Sequence, residues 1–163
     1  MRLTLLQLAA VFGIGGSLLA VAVPAFLGNL RASKLSESTD NLALLVRNAT
    51  VYGDSHAEPE CFPPSVELTP KDVPRGNLVK DPPGTWDHLT WRALGFRIVD
   101  EHAFAFQFTS QYEQTTGTMR FVTTAHGDLD GDGAISTFTV YGEKVRGQPA
   151  RALPGMYVED ELE

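Results

Sequence analysis

The first fold prediction rests on residues 3–30, which read LTLLQLAAVFGIGGSLLAVAVPAFLGNL and contain no charged side chain. A helix needs roughly 20 apolar residues to cross a bilayer core of about 30 Å, and this run is long enough to do so. The chain turns polar at Arg31. We therefore predict that this part of the chain spans a membrane.

Apolar residues continue after Arg31, but they become periodic. Four of them follow the i, i+3, i+4, i+7 spacing of one helix face: Leu42, Leu45, Val46 and Ala49. Pro24 lies in the apolar run, where a membrane or a helix bundle tolerates a proline kink because neighbouring groups satisfy the freed carbonyl. We predict one long, kinked helix over residues 3–52, with a transmembrane and assembly half in residues 1–30 and an amphipathic half in residues 31–52.

Two other interpretations of this N-terminus remain open. In the first, a cleaved secretory signal, Arg2 is a short basic region and Ala20-Val21-Ala22 is the small-x-small cleavage site. The apolar run is, however, longer than the usual stretch of about 7–15 residues in a signal peptide. The second interpretation is a generic single-span anchor that carries a globular outer domain.

Residues 3–42 place a glycine midway along the apolar half, a proline near its end and an aromatic residue just after the proline: Gly16, Pro24 and Phe26. This stretch resembles the N-terminal helix of type IV pilins and pseudopilins. Residues 126–138, which read HGDLDGDGAISTF, resemble the Asp-rich loop and following strand of many pilin-like proteins. The two matches cover both ends of the chain and leave residues 53–95 without support.

The chain departs from the pilin pattern near its start. Pilins usually carry a glutamate there, which neutralises the terminal amine of a neighbouring subunit, and the alignment on Gly16 and Pro24 puts Gln7 at this position. Because a subunit at a filament tip can dispense with the carboxylate, the resemblance implies a minor pilin or minor pseudopilin. It makes Gln7, Gly16 and Pro24 the candidate assembly residues. Only Met1 and Arg2 precede the matching start, so we expect either an incomplete chain start or unusual processing of a leader.

The composition argues against several classes of function. The 163 residues carry a formal net charge of −7, whereas nucleic-acid binding needs a basic patch, so no nucleic-acid partner is expected. Cys61 is the only cysteine, which rules out an intrachain disulfide, and we expect it to be a small buried residue. The sequence shows no nucleophile elbow, no metal-ligand histidine pair and no phosphate loop, so we expect no catalytic residues and no enzymatic activity.

The remaining residues, 53–163, are predicted to form a pilin-like globular head. Residues 53–90 are rich in proline and glycine, which fits a long ordered loop with one short helix near residues 65–68. Apolar and β-branched patterns then predict strands at four places: 94–99, 104–109, 119–123 and 135–141. The predicted fold class is α+β, with a small antiparallel β-sheet whose apolar face is covered by the amphipathic half of the long helix.

Three aspartates alternate along a loop between two of these strands. The candidate Ca²⁺ ligands are these three carboxylates, one backbone carbonyl and one hydroxyl: Asp128, Asp130, Asp132, Ala134 and Ser136. Alternate carboxylates converge on one hard cation in a calcium loop, and Gly133 would allow the sharp turn. The closing bidentate glutamate is missing, because position twelve is Thr139, and the flanking strands exclude an EF-hand. The alternative is a solvated Asp/Gly hairpin turn.

These features predict a structural subunit, a minor pilin of a type IV pilus or a minor pseudopilin of a type II secretion filament. Its expected partners are other pilin or pseudopilin subunits, contacted through the N-terminal helix, and an inner-membrane assembly platform. We expect a single-pass inner-membrane protein with its head in the periplasm, which then moves into a cell-surface pilus or a periplasmic pseudopilus. The alternative function is a secreted or membrane-anchored calcium-binding module from which residues 1–22 are cleaved as a signal peptide.

Overall fold

The domain is built around one antiparallel β-sheet. A computed structural model describes residue 20 and residues 35–160, and Leu35–Glu163 forms one compact unit. In chain order the elements are α1 (35–55), β1 (Val66–Thr69), α2 (Leu89–Ala93), β2 (Ala105–Glu113), β3 (Thr118–Gly127), β4 (Ser136–Val145), β5 (Arg151–Ala152) and β6 (Tyr157–Glu159).

From β1 to β5 the sheet is a meander in which neighbouring strands are consecutive in the chain, and β6 is the exception. Its order is β1-β2-β3-β4-β5, β6 also pairs with β4, and every pair is antiparallel. The β2–β3 hairpin closes at the pair Glu113↔Thr118. The β3–β4 hairpin closes at Gly127↔Ser136, so the Asp-rich loop is the connection between the two longest strands.

The predicted fold class, α+β with one long N-terminal helix, is wrong. The described residues are mostly antiparallel β-sheet, and the helix that precedes the sheet is short, covering 35–55. In this part of the chain no helix combines the length and the apolar character that a membrane crossing requires. The predicted apolar half, 1–30, lies outside the described residues apart from residue 20. The prediction of the fold class failed because most of the described structure comes from strand pairing, including short strands that local patterns do not show.

Helix α1 buries one face against the sheet. Leu42, Leu45 and Ala49 are almost fully buried in the same core cluster as the strand aromatics. Their spacing of three and four residues puts them on one side of the helix. Asn48 lies beside this face, and its side-chain amide donates to the carbonyl of Leu94 at 2.8 Å. The helix is therefore held by apolar burial and by hydrogen bonds to other parts of the domain, of which the bond to Leu94 is one.

Phenylalanines fill the core between α1 and the sheet. Five of them are almost completely buried: Phe104, Phe106, Phe108, Phe121 and Phe138. Phe106 and Phe108 are two residues apart on β2 and therefore point to one face, because successive residues of a strand point to opposite sides. Phe121 on β3 and Phe138 on β4 add to the same core cluster. The rings of Phe108 and Phe121 stack with centroids 5.8 Å apart, and the ring of Phe62 meets Phe121 edge-on at 4.8 Å.

The segment between α1 and β2 contains short elements that local patterns misassign. The helix predicted near 65–68 is instead strand β1, the strand predicted at 94–99 is not present, and α2 was not predicted. Hydrogen bonds with distant residues hold these pieces. The Thr90 hydroxyl donates to the carbonyl of Pro64 at 2.7 Å, and the indole of Trp91 donates to the Thr69 hydroxyl at 3.0 Å. Elements this short are stabilised by tertiary contacts rather than by their own propensity.

Candidate functional site

The Asp-rich loop is a tight connection that its own aspartates shape. Asp128 is buried, whereas Asp130 and Asp132 are exposed. The loop follows the last residue of β3 directly, and Gly131 and Gly133 adopt φ values of 86° and 99°. Side chains with a Cβ rarely adopt this left-handed conformation, so the two glycines allow the loop to turn.

Each aspartate accepts a hydrogen bond from a backbone N–H within the loop. Asp128 accepts from Gly131 at 2.7 Å through Oδ1 and from Gly133 at 3.2 Å through Oδ2. The Oδ1 atom of Asp130 accepts from the N–H of Asp132 at 3.2 Å. The Oδ1 atom of Asp132 accepts from the N–H of Ala134 at 2.8 Å. These bonds are the usual way in which aspartates stabilise a turn, and they need no ion.

The three carboxylates also converge. One oxygen from each of Asp128, Asp130 and Asp132 lies within 4.8 Å of the other two, so the group could hold a metal ion. A set of carboxylate oxygens suits a hard cation. The same closeness makes the three negative charges repel one another, and the backbone N–H groups offset part of this repulsion. The loop is therefore compatible both with a solvated turn and with a cation site.

The two other predicted ligands lie where the loop enters β4. The N–H of Ala134 donates to Oδ1 of Asp132. The buried hydroxyl of Ser136 donates to the carbonyl of Asp160 at 2.7 Å. This bond ties the start of β4 to the residue after β6. Thr139, at position twelve, lies within β4, where it pairs with Tyr157.

The sequence did not predict the segment on which the Asp-rich loop rests. The N–H of Gly76 donates to the carbonyl of Asp128 at 2.7 Å, and the N–H of Asp128 donates to the carbonyl of Pro74 at 3.4 Å. A Cβ at Gly76 would lie 3.2 Å from the carbonyl oxygen of Asp130, and its φ is 67°. The one signal for this contact in the sequence was a glycine inside a loop of many prolines.

His126 precedes the loop on β3 but is not a member of the carboxylate group. Its Nδ1 atom lies 3.0 Å from the hydroxyl of Thr137 on β4. The side chain is half-buried, and this burial lowers the pKa of the His126 imidazole below its usual value. The structure places His126 on β3, with its ring against the side chain of Thr137, the residue paired with it on β4.

The candidate assembly residues Gln7, Gly16 and Pro24 lie outside the described residues. Their roles stay predictions. The prediction that Cys61 is buried is confirmed, and burial raises the pKa of the Cys61 thiol, which disfavours the reactive thiolate.

Comparisons with known proteins were made at the level of families, single proteins and structures. No protein-family model, no curated protein and no solved structure matches the chain. A function for this protein therefore has to be argued from its residues and their geometry.

Proposed function

We propose that this chain is a structural subunit, a minor pilin or minor pseudopilin, which assembles through its apolar N-terminal segment. The observation that carries the proposal is the uncharged run of residues 3–30. A compact, polar domain follows this run in the chain. A segment of this kind has two favourable environments, a bilayer and a bundle of similar segments, because each keeps apolar surface away from water.

The mechanism is assembly. The segment would rest in the inner membrane and then enter the core of a filament, where packing against neighbouring segments replaces packing against lipid. Other pilin or pseudopilin subunits and an inner-membrane assembly platform are the proposed partners. The domain of residues 35–160 would face the periplasm and then the filament surface. Its acidic character, with a net charge of −7 over the whole chain, suits an exposed role.

The test places a charge in the apolar segment. Leu19→Asp should abolish incorporation into filaments in the native cell, because a carboxylate in an apolar helix bundle or bilayer core costs about 2.5–3.5 kcal/mol or more. Leu19→Ile, which keeps the segment apolar, should assemble normally. Incorporation is measured by mass spectrometry of sheared filaments, with circular dichroism of both variants as a control for the fold. Normal incorporation of the aspartate variant would contradict the proposal.

The second candidate is a secreted or membrane-anchored calcium-binding module, and the carboxylate group of the β3–β4 loop favours it. N-terminal sequencing of the mature protein separates the two functions. A mature chain that starts at Val23 would support the module, whereas a chain that keeps residues 3–22 supports the filament subunit.

Calcium is the proposed ion for this loop in either function, because the three converging ligands are carboxylates. A ligand that binds only the folded state raises its stability by mass action. Millimolar Ca²⁺ should therefore raise the melting temperature of the full chain in detergent. Asp130→Asn should lose most of the increase, and Asp72→Asn, at an exposed position outside the group, should keep it. An unchanged melting temperature with calcium would leave the loop as a solvated turn.

A further inference from the structure

A second polar cluster lies in the core, far along the chain from the Asp-rich loop. His102 is 1% exposed, and each of its ring nitrogens faces an oxygen atom. Nδ1 lies 2.8 Å from the carbonyl of Phe104, and Nε2 lies 2.9 Å from Oδ2 of Asp81. The Asp81 side chain is also largely buried, with 8% of its surface exposed. The sequence offered no reason to pair these two residues.

Both hydrogen-bond partners of the His102 ring are oxygen atoms, a backbone carbonyl and a carboxylate. A carbonyl oxygen only accepts hydrogen bonds, so the proton of the Nδ1 bond belongs to the ring. A neutral imidazole would then present the lone pair of Nε2 to the carboxylate of Asp81, which is repulsive. An imidazolium ion donates from both nitrogens and satisfies both oxygens. The geometry therefore suits a buried ion pair between a protonated His102 and Asp81.

Trp86 completes the cluster. Its indole N–H donates to the same oxygen, Oδ2 of Asp81, at 2.7 Å. A carboxylate oxygen that accepts two hydrogen bonds in the core is stabilised in its ionised form. The Trp86 ring also packs against Trp91 and Phe96, with centroids 5.5 and 5.4 Å away, so the position of Asp81 is coupled to the aromatic core.

The cluster lies where the two ends of the segment 80–101 are joined by backbone hydrogen bonds. Val79 and His102 exchange two backbone hydrogen bonds of 2.9 Å each, so the segment 80–101 leaves the sheet region and returns at the same point. This segment contains α2 and Trp86. From helix α1, Glu37 accepts from the N–H of Ala103 at 3.1 and 3.2 Å, which places a second carboxylate beside the same junction.

We propose that Asp81, Trp86 and His102 form a proton-dependent clasp that holds the segment 80–101 closed. The clasp is closed while His102 carries two protons. When the ring loses one of them as the pH rises, the Nε2 lone pair faces the Asp81 carboxylate, the pair repels, and the segment loosens. The charged side chains around this junction include Glu37 on α1, whose carboxylate accepts from the N–H of Ala103. Lys80, Asp87 and Arg97 line the pocket that Asp81 and Trp86 also line.

The direct test is NMR of the full chain in detergent, with ¹⁵N-labelled histidine and tryptophan. At the lower end of the pH range in which the chain stays folded, both ring nitrogens of His102 should show the shifts of protonated nitrogens. When the pH is raised until one ring proton has left, the indole N–H signal of Trp86 should shift and exchange faster with solvent in step with that loss. A His102 ring with one proton at the lower pH overturns the proposal. So does a Trp86 signal that stays constant while the ring titrates.

Two variants add a matched comparison. Asp81→Asn keeps the size of the side chain and removes its charge, so the coupled response of Trp86 to pH should be lost. Asp87→Asn, on the same segment at an exposed position, should respond as the wild type does. An Asp81→Asn protein that shows the wild-type response refutes the clasp. If this variant does not fold, the wild-type measurement still decides.

Discussion

Gly142 shows how a single residue sets the packing between two strands. It lies opposite Phe121 in the β3–β4 register, and a Cβ built at this position would collide with the Phe121 ring. Gly127 stands in the same relation to Phe104, whose ring would lie 2.7 Å from a Cβ. A glycine normally weakens a strand, and here it makes room for an aromatic ring that covers the backbone.

Gly142→Ala should therefore destabilise the domain. The expected loss is about 1–3 kcal/mol, because an added methyl group in a filled space forces the ring and the backbone apart. Urea denaturation measures it as a lower midpoint at a constant slope. The same change in a Phe121→Leu background should lose less, since the colliding ring atoms are gone. Equal losses in both backgrounds would show that the ring is not the cause.

His126 should make the stability of the domain depend on pH. Burial lowers the pKa of its imidazole below the usual value of 6.5, so the unfolded chain binds a proton that the folded chain resists. Stability is then lost as the pH falls from about 6.5 through the lower folded pKa. His126→Gln should reduce this loss between about pH 7 and pH 5, measured by melting temperature. His56→Gln, at an exposed position, serves as the control. Identical pH dependence in wild type and His126→Gln would contradict the assignment.

In helix α1, the spacing of apolar residues determines which side chains are buried and so contribute to the stability of the domain. Leu45 is fully buried against the sheet, whereas its neighbour Leu44 is 36% exposed. Both are leucines in the same helix, and the periodicity of the sequence already separated them, because Leu45 belongs to the apolar face and Leu44 does not. The β3–β4 connection behaves differently. The sequence shows the spacing of the aspartates in this connection, but it did not predict that the connection contacts residues 74–76.

Leu45→Ala should lower the free energy of unfolding by about 2–5 kcal/mol, since it removes buried methyl groups and leaves a cavity. Leu44→Ala is the matched control, with an expected change within about 0.5 kcal/mol. Chemical denaturation of the two variants measures the difference. Similar effects at the two positions would mean that α1 does not pack on the sheet through this face.

The molecule as a whole is a polar sheet domain that follows an uncharged segment in sequence. The proposed role in a filament depends on both parts. The segment supplies the apolar surface that could join subunits, and the domain supplies the surface that a filament would present. Gln7 bears on how many copies a filament would contain, because a glutamine cannot neutralise the terminal amine of a neighbour.

Native filaments should therefore contain this chain only as a minor component. Quantitative mass spectrometry of purified filaments measures its ratio to the other subunits. Gln7→Glu should raise its incorporation if the missing carboxylate is what limits it, and Gln7→Asn should not. Filaments composed mainly of the wild-type chain would show that the inference from Gln7 is wrong.

Several features of this protein could be predicted from local patterns. The apolar face of α1, the alternating phenylalanines of β2 and the three aspartates of the β3–β4 loop each lie within one short stretch, where spacing reports geometry directly. The predicted fold class was wrong, because most of the described residues form antiparallel sheet and the described helix before the sheet covers only 35–55.

Other features depend on residues that are distant in the chain and meet only in the folded domain. Strands β1, β5 and β6 have four, two and three residues, and their pairing partners rather than their own sequences hold them in the sheet. Asp81 and His102 are separated by α2, and the contact of Asp128 with Gly76 joins residues 52 positions apart. No local pattern encodes such pairs, because their free energy comes from burial and hydrogen bonding that exist once the chain has folded.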